Sequence, residues 1–209
     1  MRGRDVAHRS YGPAFDYLVG FILLVIATPI MLLVALFIYL EDGGPIFFAQ
    51  SRLGLGGRPF RCFKFRSMNT RAEDQLRRLL IDSCTAQDEW ARTHKLRRDP
   101  RVTRVGAFIR KYSLDELPQL INVLRADMSL VGPRPIVEAE ACRYGRWIHH
   151  YYAVRPGLTG LWQVSGRSDT NYRSRVAMDV VYARSKRILL DVRILAATLP
   201  AVLIGRGSY

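Results

Sequence analysis

At 209 residues the chain has room for one domain, or one domain plus a membrane element, with a modest core. Its formal net charge is +14, and 28 of the 32 cations are Arg, which suits bidentate phosphate binding and anionic surfaces. Cys62, Cys84 and Cys142 are odd in number and lack a C-x-x-C spacing, which argues against a disulfide framework or a zinc site and for a reducing, cytosolic setting.

In chain order, residues 1–14 are a basic amino-terminal tail and residues 15–41 a membrane element. Tyr17 to Leu40 are 24 consecutive uncharged, mostly apolar positions, enough for a membrane helix. The run ends in Tyr39-Leu40-Glu41-Asp42 with no small-residue cleavage site, so no removable signal peptide is expected. Thr28-Pro29 sits mid-run: Pro29 has no N–H for the Val25 carbonyl, and a Thr hydroxyl can bond back to a carbonyl and add to the bend. Each half reaches only ~17 Å at ~1.5 Å per residue, about half of the ~30 Å hydrocarbon core. Cations flank both ends, Arg2, Arg4 and Arg9 before the run and Arg52, Arg58, Arg61, Lys64 and Arg66 after it. The positive-inside tendency therefore places both flanks in the cytoplasm. A kinked full span and a re-entrant hairpin broken at Pro29 are both open, with the hairpin favoured.

Pro45 to Arg52 and Pro59 to Ser67 read as two strands around the turn Gly54-Leu55-Gly56-Gly57. Lys64 and Arg66, two apart, share one face of the second strand, either as a cationic site or as a solvated surface, while Phe63 and Phe65 share the other. Thr70-Arg71-Ala72-Glu73 fits a capping box opening a helix with Leu76, Leu79 and Leu80 on one face. Residues 82–98 are charged, weakly periodic and expected to be the least ordered stretch. Asp99-Pro100 marks a turn, and Val102 to Tyr112 a short helix carrying Arg104, Arg110 and Lys111.

From Arg52 to Lys111 there are sixteen Lys and Arg against six Asp and Glu, so the adjacent acids of Ser113-Leu114-Asp115-Glu116-Leu117-Pro118-Gln119-Leu120 arrive in a strongly positive setting. Ser113 and Glu116 also fit a capping box, but Pro118 would then delete a normal helical bond. A helix beginning at Asp115 puts Pro118 in the first turn, where its missing donor costs nothing, and aligns Leu117, Leu120, Ile121 and Leu124. Helix capping and a reaction centre both account for the pair, and the two are compatible.

Arg134 lies between two prolines in Ser129 through Pro135, a rigid frame for a phosphate clamp or a plain turn. Arg155 and Arg167 border two glycine-rich turns around a short strand, and several arginine-bearing turns together suggest a polyphosphate pocket. Asn171 to Arg184 reads as a helix capped by Asp169 or Thr170. Residues 188–209 read as an apolar helix, either of the core or amphipathic and interfacial.

Five ordered motifs, Lys64 to Met68, Asp99-Pro100-Arg101, Ser113 to Leu120, Ser129 to Pro135 and Arg155 to Arg167, carry a resemblance to the bacterial sugar transferase family. These are the monotopic polyprenyl-phosphate phosphoglycosyl transferases that begin exopolysaccharide, O-antigen and glycoconjugate assembly. The likeness runs from about Phe15 to the carboxyl end, and the closing part looks most like members that transfer galactose- or glucose-phosphate. It implies an α+β fold, a mostly helical small catalytic domain over residues 42–187 with a short β-hairpin, anchored by a re-entrant membrane helix. It further implies a UDP-sugar donor, undecaprenyl phosphate as acceptor, Mg2+ as cofactor, and residence at the cytoplasmic face of the bacterial inner membrane. By the same resemblance Asp115 is the nucleophile, Glu116 a magnesium ligand, Lys64, Arg66 and Arg110 charge-offsetting groups, and Arg134 a nucleotide contact. Arg155 and Arg167 are further phosphate-binding candidates, and Thr28-Pro29 stands where the family has Ser-Pro. A homo-oligomer is left open. A membrane-anchored basic module holding anionic lipid or nucleic acid also explains the charge, but the paired acids speak against it and no nucleic acid is expected.

Overall fold

The computed structural model describes residues 13–93, 96, 99–165 and 171–203. Helix α1 (Ala14–Asp42) holds the apolar run and contains Pro29. Its buried residues, Asp16, Gly20, Ala27, Val34 and Ile38, recur four or seven apart and so form one stripe. Outside the stripe the helix is lipid-like: Leu18, Phe21, Ile26, Leu32 and Leu40 are all more than half exposed. Both ends of α1 are tied to the same body. At one end Asp16 accepts from Ser129 Oγ at 2.8 Å and from the Leu130 N–H at 3.1 Å. At the other, Glu41 accepts from the Arg104 and Val105 N–H groups at 2.8 and 3.3 Å. Helical structure continues through Thr28 and Pro29, where the Thr28 hydroxyl donates to the Leu24 carbonyl at 2.7 Å. The expected hairpin of two separate arms is therefore not seen as a break in the helix.

Strands β1 (Phe47–Leu53) and β2 (Pro59–Phe65) pair antiparallel from Phe47 opposite Phe65 to Leu53 opposite Pro59. The expected hairpin is present because Gly56 and Gly57 supply the positive φ that closes the turn. Helix α2 (Ala72–Asp82) has Arg71 at its cap position with no side-chain bond, so the Thr70 capping box is not made. The segment expected to be least ordered contains helix α3 (Cys84–Thr93), whose start is held by Ser83 Oγ accepting from the Ala86 N–H at 3.2 Å. Helix α4 (Arg104–Lys111) is capped by Thr103, which accepts from the Gly106 N–H at 2.9 Å. Gly106 is obligatory there, since a Cβ would lie 2.0 Å from the Ser67 carbonyl oxygen.

After α4 a 3-10 turn covers Leu114–Glu116 and helix α5 spans Gln119–Leu124. The helix expected from Asp115 thus begins later. Ser113 enters the left-handed region at φ 55°, which turns the chain, and its side chain caps nothing. Strand β3 (Ser129–Val131) pairs in parallel with β4 (Gly157–Thr159), joining the Pro-Arg-Pro loop to the first glycine-rich turn. Gly157 permits this: a Cβ there would sit 2.0 Å from the Gly132 nitrogen. Between them lie α6 (Glu138–Ala141), a 3-10 stretch and α7 (Ile148–Tyr152), and beyond them α8 (Leu161–Ser165), α9 (Tyr172–Ser185) and α10 (Ile188–Leu203). Asn171 caps α9 by accepting from the Ser174 N–H at 2.8 Å, while Asp169 and Thr170, expected as caps, lie outside the described residues.

The main core gathers Ala27 of α1, Cys62 of β2, Leu120 and Val123 of α5, Leu130 and Val131 of β3, Tyr182 of α9 and Ile194 of α10. The Tyr182 hydroxyl ties three elements, bonding the Val131 carbonyl at 2.8 Å and Asp191 Oδ1 at 2.9 Å. Asp191 and Ile194 are buried while Ile188, Leu189 and Val192 are exposed, so α10 has a core face and an apolar outer face. The mixed helical and β content, with one long apolar amino-terminal helix, agrees with the expected α+β class.

Candidate active site

Asp115 and Glu116 lie in the 3-10 turn between α4 and α5, beside Lys64 near the end of β2. Lys64 Nζ approaches Glu116 Oε1 to 2.6 Å and Asp115 Oδ2 to 3.8 Å. Asn122 sets this distance. It is fully buried on α5, accepts from the Phe63 N–H at 2.9 Å and donates to the Arg61 carbonyl at 2.8 Å, so it clamps β2 beside Lys64 against the element that follows the acids. Arg134 comes within 3.9 Å of the same Glu116 oxygen from the Pro-Arg-Pro loop. That loop is fixed in turn by β3 and β4, and by Arg52, which donates to the Pro135 carbonyl at 3.0 Å.

The two carboxyl groups are driven apart in pKa. Burial pushes Glu116 up, but Lys64, Arg134 and Arg52 outweigh it and hold the group at about 2. For Asp115 burial wins: its pKa is raised, with the Glu116 charge adding to the effect and Lys64, Arg110 and Arg134 opposing it. One acid is a fixed charge, and its neighbour a more basic carboxylate, the better electron-pair donor of the two.

Of the residues singled out in the sequence, Lys64, Arg134, Asp115 and Glu116 are brought together. Arg110 is adjacent: its Nε donates to Ser67 Oγ at 2.8 Å, and its charge acts on Asp115. Arg66 is not at the acids. β2 ends at Phe65, and Arg66 turns to Asp42 at the end of α1, with Nη1 2.8 Å from Oδ2. Arg155 is near Lys186, whose pKa burial lowers and Arg155 lowers further. Arg167 lies outside the described residues.

The cleft beside the acids is also lined by Arg52, Cys62, Gln119 and Gln163, none of which stood out in the sequence as site residues. A signal existed for Arg52, a cation two residues before the hairpin turn, and for Asn122, a polar residue between Ile121 and Val123 of α5. Gln119 and Gln163 carried none. The cleft is shallow and polar, with enclosed space of about 10 Å3, room for about one water.

A carboxylate pair ringed by cations stands beside a long apolar helix, a setting suited to binding phosphate groups. The family described as "Bacterial sugar transferase" matches residues 7–205, and the chain belongs to it. It is 46% identical over 196 residues to the exopolysaccharide production protein ExoY of Sinorhizobium fredii, covering 94% of this chain and 87% of that one. It is 46% identical to the undecaprenyl-phosphate galactose phosphotransferase of Salmonella typhimurium, covering 93% of this chain and 41% of that longer protein. The UDP-glucose:undecaprenyl-phosphate glucose-1-phosphate transferase of Caulobacter vibrioides is 42% identical, with 93% and 70% covered.

Proposed function

We propose that the protein transfers a sugar phosphate from a UDP-sugar to undecaprenyl phosphate, as the first membrane step of exopolysaccharide or glycoconjugate assembly. An Asp115 carboxylate oxygen attacks the phosphorus joined to the sugar, the phosphoanhydride bond breaks, and UMP leaves with the electron pair. An oxygen of the acceptor phosphate then attacks the same phosphorus and Asp115 departs as carboxylate. The observation that carries this reading is the splitting of the acid pair, with Asp115 raised and Glu116 held at about 2 within reach of Lys64 and Arg134. Lys64 and Arg134 would take up charge that builds on the phosphate oxygens, and Arg110 would steady Asp115.

Magnesium fits the donor set. Among the described residues no three of His, Cys, Asp and Glu come together as a cage, and the site offers an adjacent pair of carboxylates. That is the protein share magnesium uses when substrate phosphates and water complete its shell. Glu116 would hold the ion, whose contribution when bound is to neutralise diphosphate charge.

For the anchor, a helix of ~43 Å that crossed the bilayer would carry one end away from the body. Attachment of both Asp16 and Glu41 to one body supports both helix ends lying on a single face, as the re-entrant placement requires, and the cationic flanks support the cytoplasmic one. The test is to incubate the protein with UDP-galactose or UDP-glucose, Mg2+ and undecaprenyl phosphate and assay the nucleotide. UMP release and loss of the covalent phosphosugar adduct in Asp115→Asn are expected. Release of UDP in its place refutes the reading.

A further inference from the structure

The last turn of α1 sets two acids side by side, and they grip different segments of the body. Glu41 accepts from the Arg104 and Val105 N–H groups at 2.8 and 3.3 Å, so a carboxylate from another helix takes two donors that the start of α4 leaves without intrahelical partners. Asp42 meets Arg66 end-on: each carboxylate oxygen accepts from one guanidinium Nη, with Nη1 to Oδ2 at 2.8 Å. The Asp42 and Arg66 side chains are 24% and 9% exposed, so water screens the pair only in part. Backbone geometry fixes where Asp42 stands. Gly43 enters the left-handed region at φ 65° and its N–H returns to the Tyr39 carbonyl at 2.8 Å. Gly44 then passes over the pair, where a Cβ would lie 2.6 Å from Arg66 Nη1.

These contacts close a ring. Arg66 precedes Ser67, whose Oγ accepts from Arg110 Nε at 2.8 Å and whose carbonyl accepts from the Thr103 N–H at 3.2 Å. Arg110 in turn stands on the helix whose amino end Glu41 holds. Lys64 belongs to the strand that runs into Arg66, and Asp115 to the turn that follows α4. We propose that Glu41 and Asp42 form a positioning clamp that transmits the position of α1 to Lys64 and Arg110, and that Arg66 is a positioning residue of this clamp and not a phosphate ligand. The proposal rests on the transferase reading above. Two observations set Arg66 apart from substrate. It does not line the cleft beside the acids, whereas Lys64 and Arg134 do. Both its Nη groups are taken by Asp42 and its Nε is buried, so the guanidinium turns no open edge to a phosphate.

The experiment uses the full chain in nanodiscs with Mg2+ and UDP-galactose or UDP-glucose as donor. Three readouts are taken: the UMP burst without acceptor at saturating donor, the donor concentration for half-maximal burst, and Tm. Asp42→Ala and Glu41→Ala each release one arm of the clamp, and Arg66→Asp breaks the ion pair. The double variant Asp42→Arg/Arg66→Asp restores the pair with the charges exchanged, and Asp74→Asn removes an exposed acid of α2 as a charge control. Each single clamp variant is expected to lower the saturated burst by about tenfold or more, the scale of a small misplacement of reacting groups, with the half-saturating donor concentration unchanged. The exchanged pair should recover most of the burst lost in Arg66→Asp, and Asp74→Asn should lose none. An Arg66→Asp defect that Asp42→Arg does not relieve, with a raised half-saturating donor concentration, makes Arg66 a donor ligand and overturns the proposal. An unchanged burst in Asp42→Ala and Glu41→Ala while Tm falls makes the contacts purely structural and overturns it as well. Absence of a UMP burst in the unmodified protein instead overturns the transferase reading.

Discussion

Lys64→Gln removes the cation closest to both acids without removing a side chain of similar length. Its ammonium lies 3.8 Å from Asp115 Oδ2, and the two side chains are 23% and 13% exposed, so the attraction is only partly screened. At an effective dielectric of about 20 a pair at this distance interacts by about 4 kcal/mol as an upper bound. Arg110 and Arg134 remain, so the Asp115 pKa, already raised by burial, should rise further. The nucleophile must be ionised, and the UMP burst therefore falls as pH drops through that pKa. Burst rates across a pH series at fixed Mg2+ should show the acid limb of the variant displaced upward. Charge lost from the phosphate contact lowers the plateau, which is a separate quantity. An acid limb that stays in place while the plateau falls would refute the argument, leaving Lys64 with a contact to substrate and no hold on Asp115.

Glu116→Gln should raise the Mg2+ concentration needed for half-maximal UMP release by at least about tenfold, and should shift the Asp115 acid limb downward because a like charge is gone. Gly106→Ala brings a Cβ against the Ser67 carbonyl and should cost about 1–3 kcal/mol, read as a lower Tm, with weakened Arg110 contact to Ser67 Oγ. Asp179 is buried, accepts from the Tyr144 hydroxyl at 2.7 Å and has its pKa pushed up to about 6 by burial. Because the folded pKa exceeds the usual value of 3.8, the folded state holds its proton more tightly, and stability present below about pH 4 is lost as pH rises through about 6. Asp179→Asn should remove that portion of the pH dependence of Tm; an unchanged profile would place it elsewhere.

Local chemistry was legible where a residue acts on its own neighbourhood. The glycine turn announced the β-hairpin, and the apolar run with its proline announced α1. The acids were visible because they interrupt a basic stretch. Helix starts were less legible, since Thr70 and Ser113 have the right type and spacing for caps and neither side chain makes one. What stayed hidden was non-local. Arg134 reaches Glu116 only because β3 pairs with β4 more than twenty residues later, and no local pattern encodes that pairing. Lys64 and Arg66 share a strand face in principle, but the strand stops between them, and they serve different partners. Asn122, whose partners no local pattern gives, bonds β2 on either side of Cys62 and so ties the strand that carries Lys64 to α5.

The attachment of α1 at both ends also bears on how the protein meets membranes of different thickness. A spanning anchor answers a thicker or thinner bilayer by tilting, and any domain fixed to it changes height over the lipid. An anchor gripped at Asp16 and at Glu41 by one body has no free end to tilt about, so the depth of the helix and the height of Asp115 are built into the fold. In the re-entrant placement the far leaflet drops out of the geometry, and turnover should be insensitive to acyl-chain length in the nanodisc lipid.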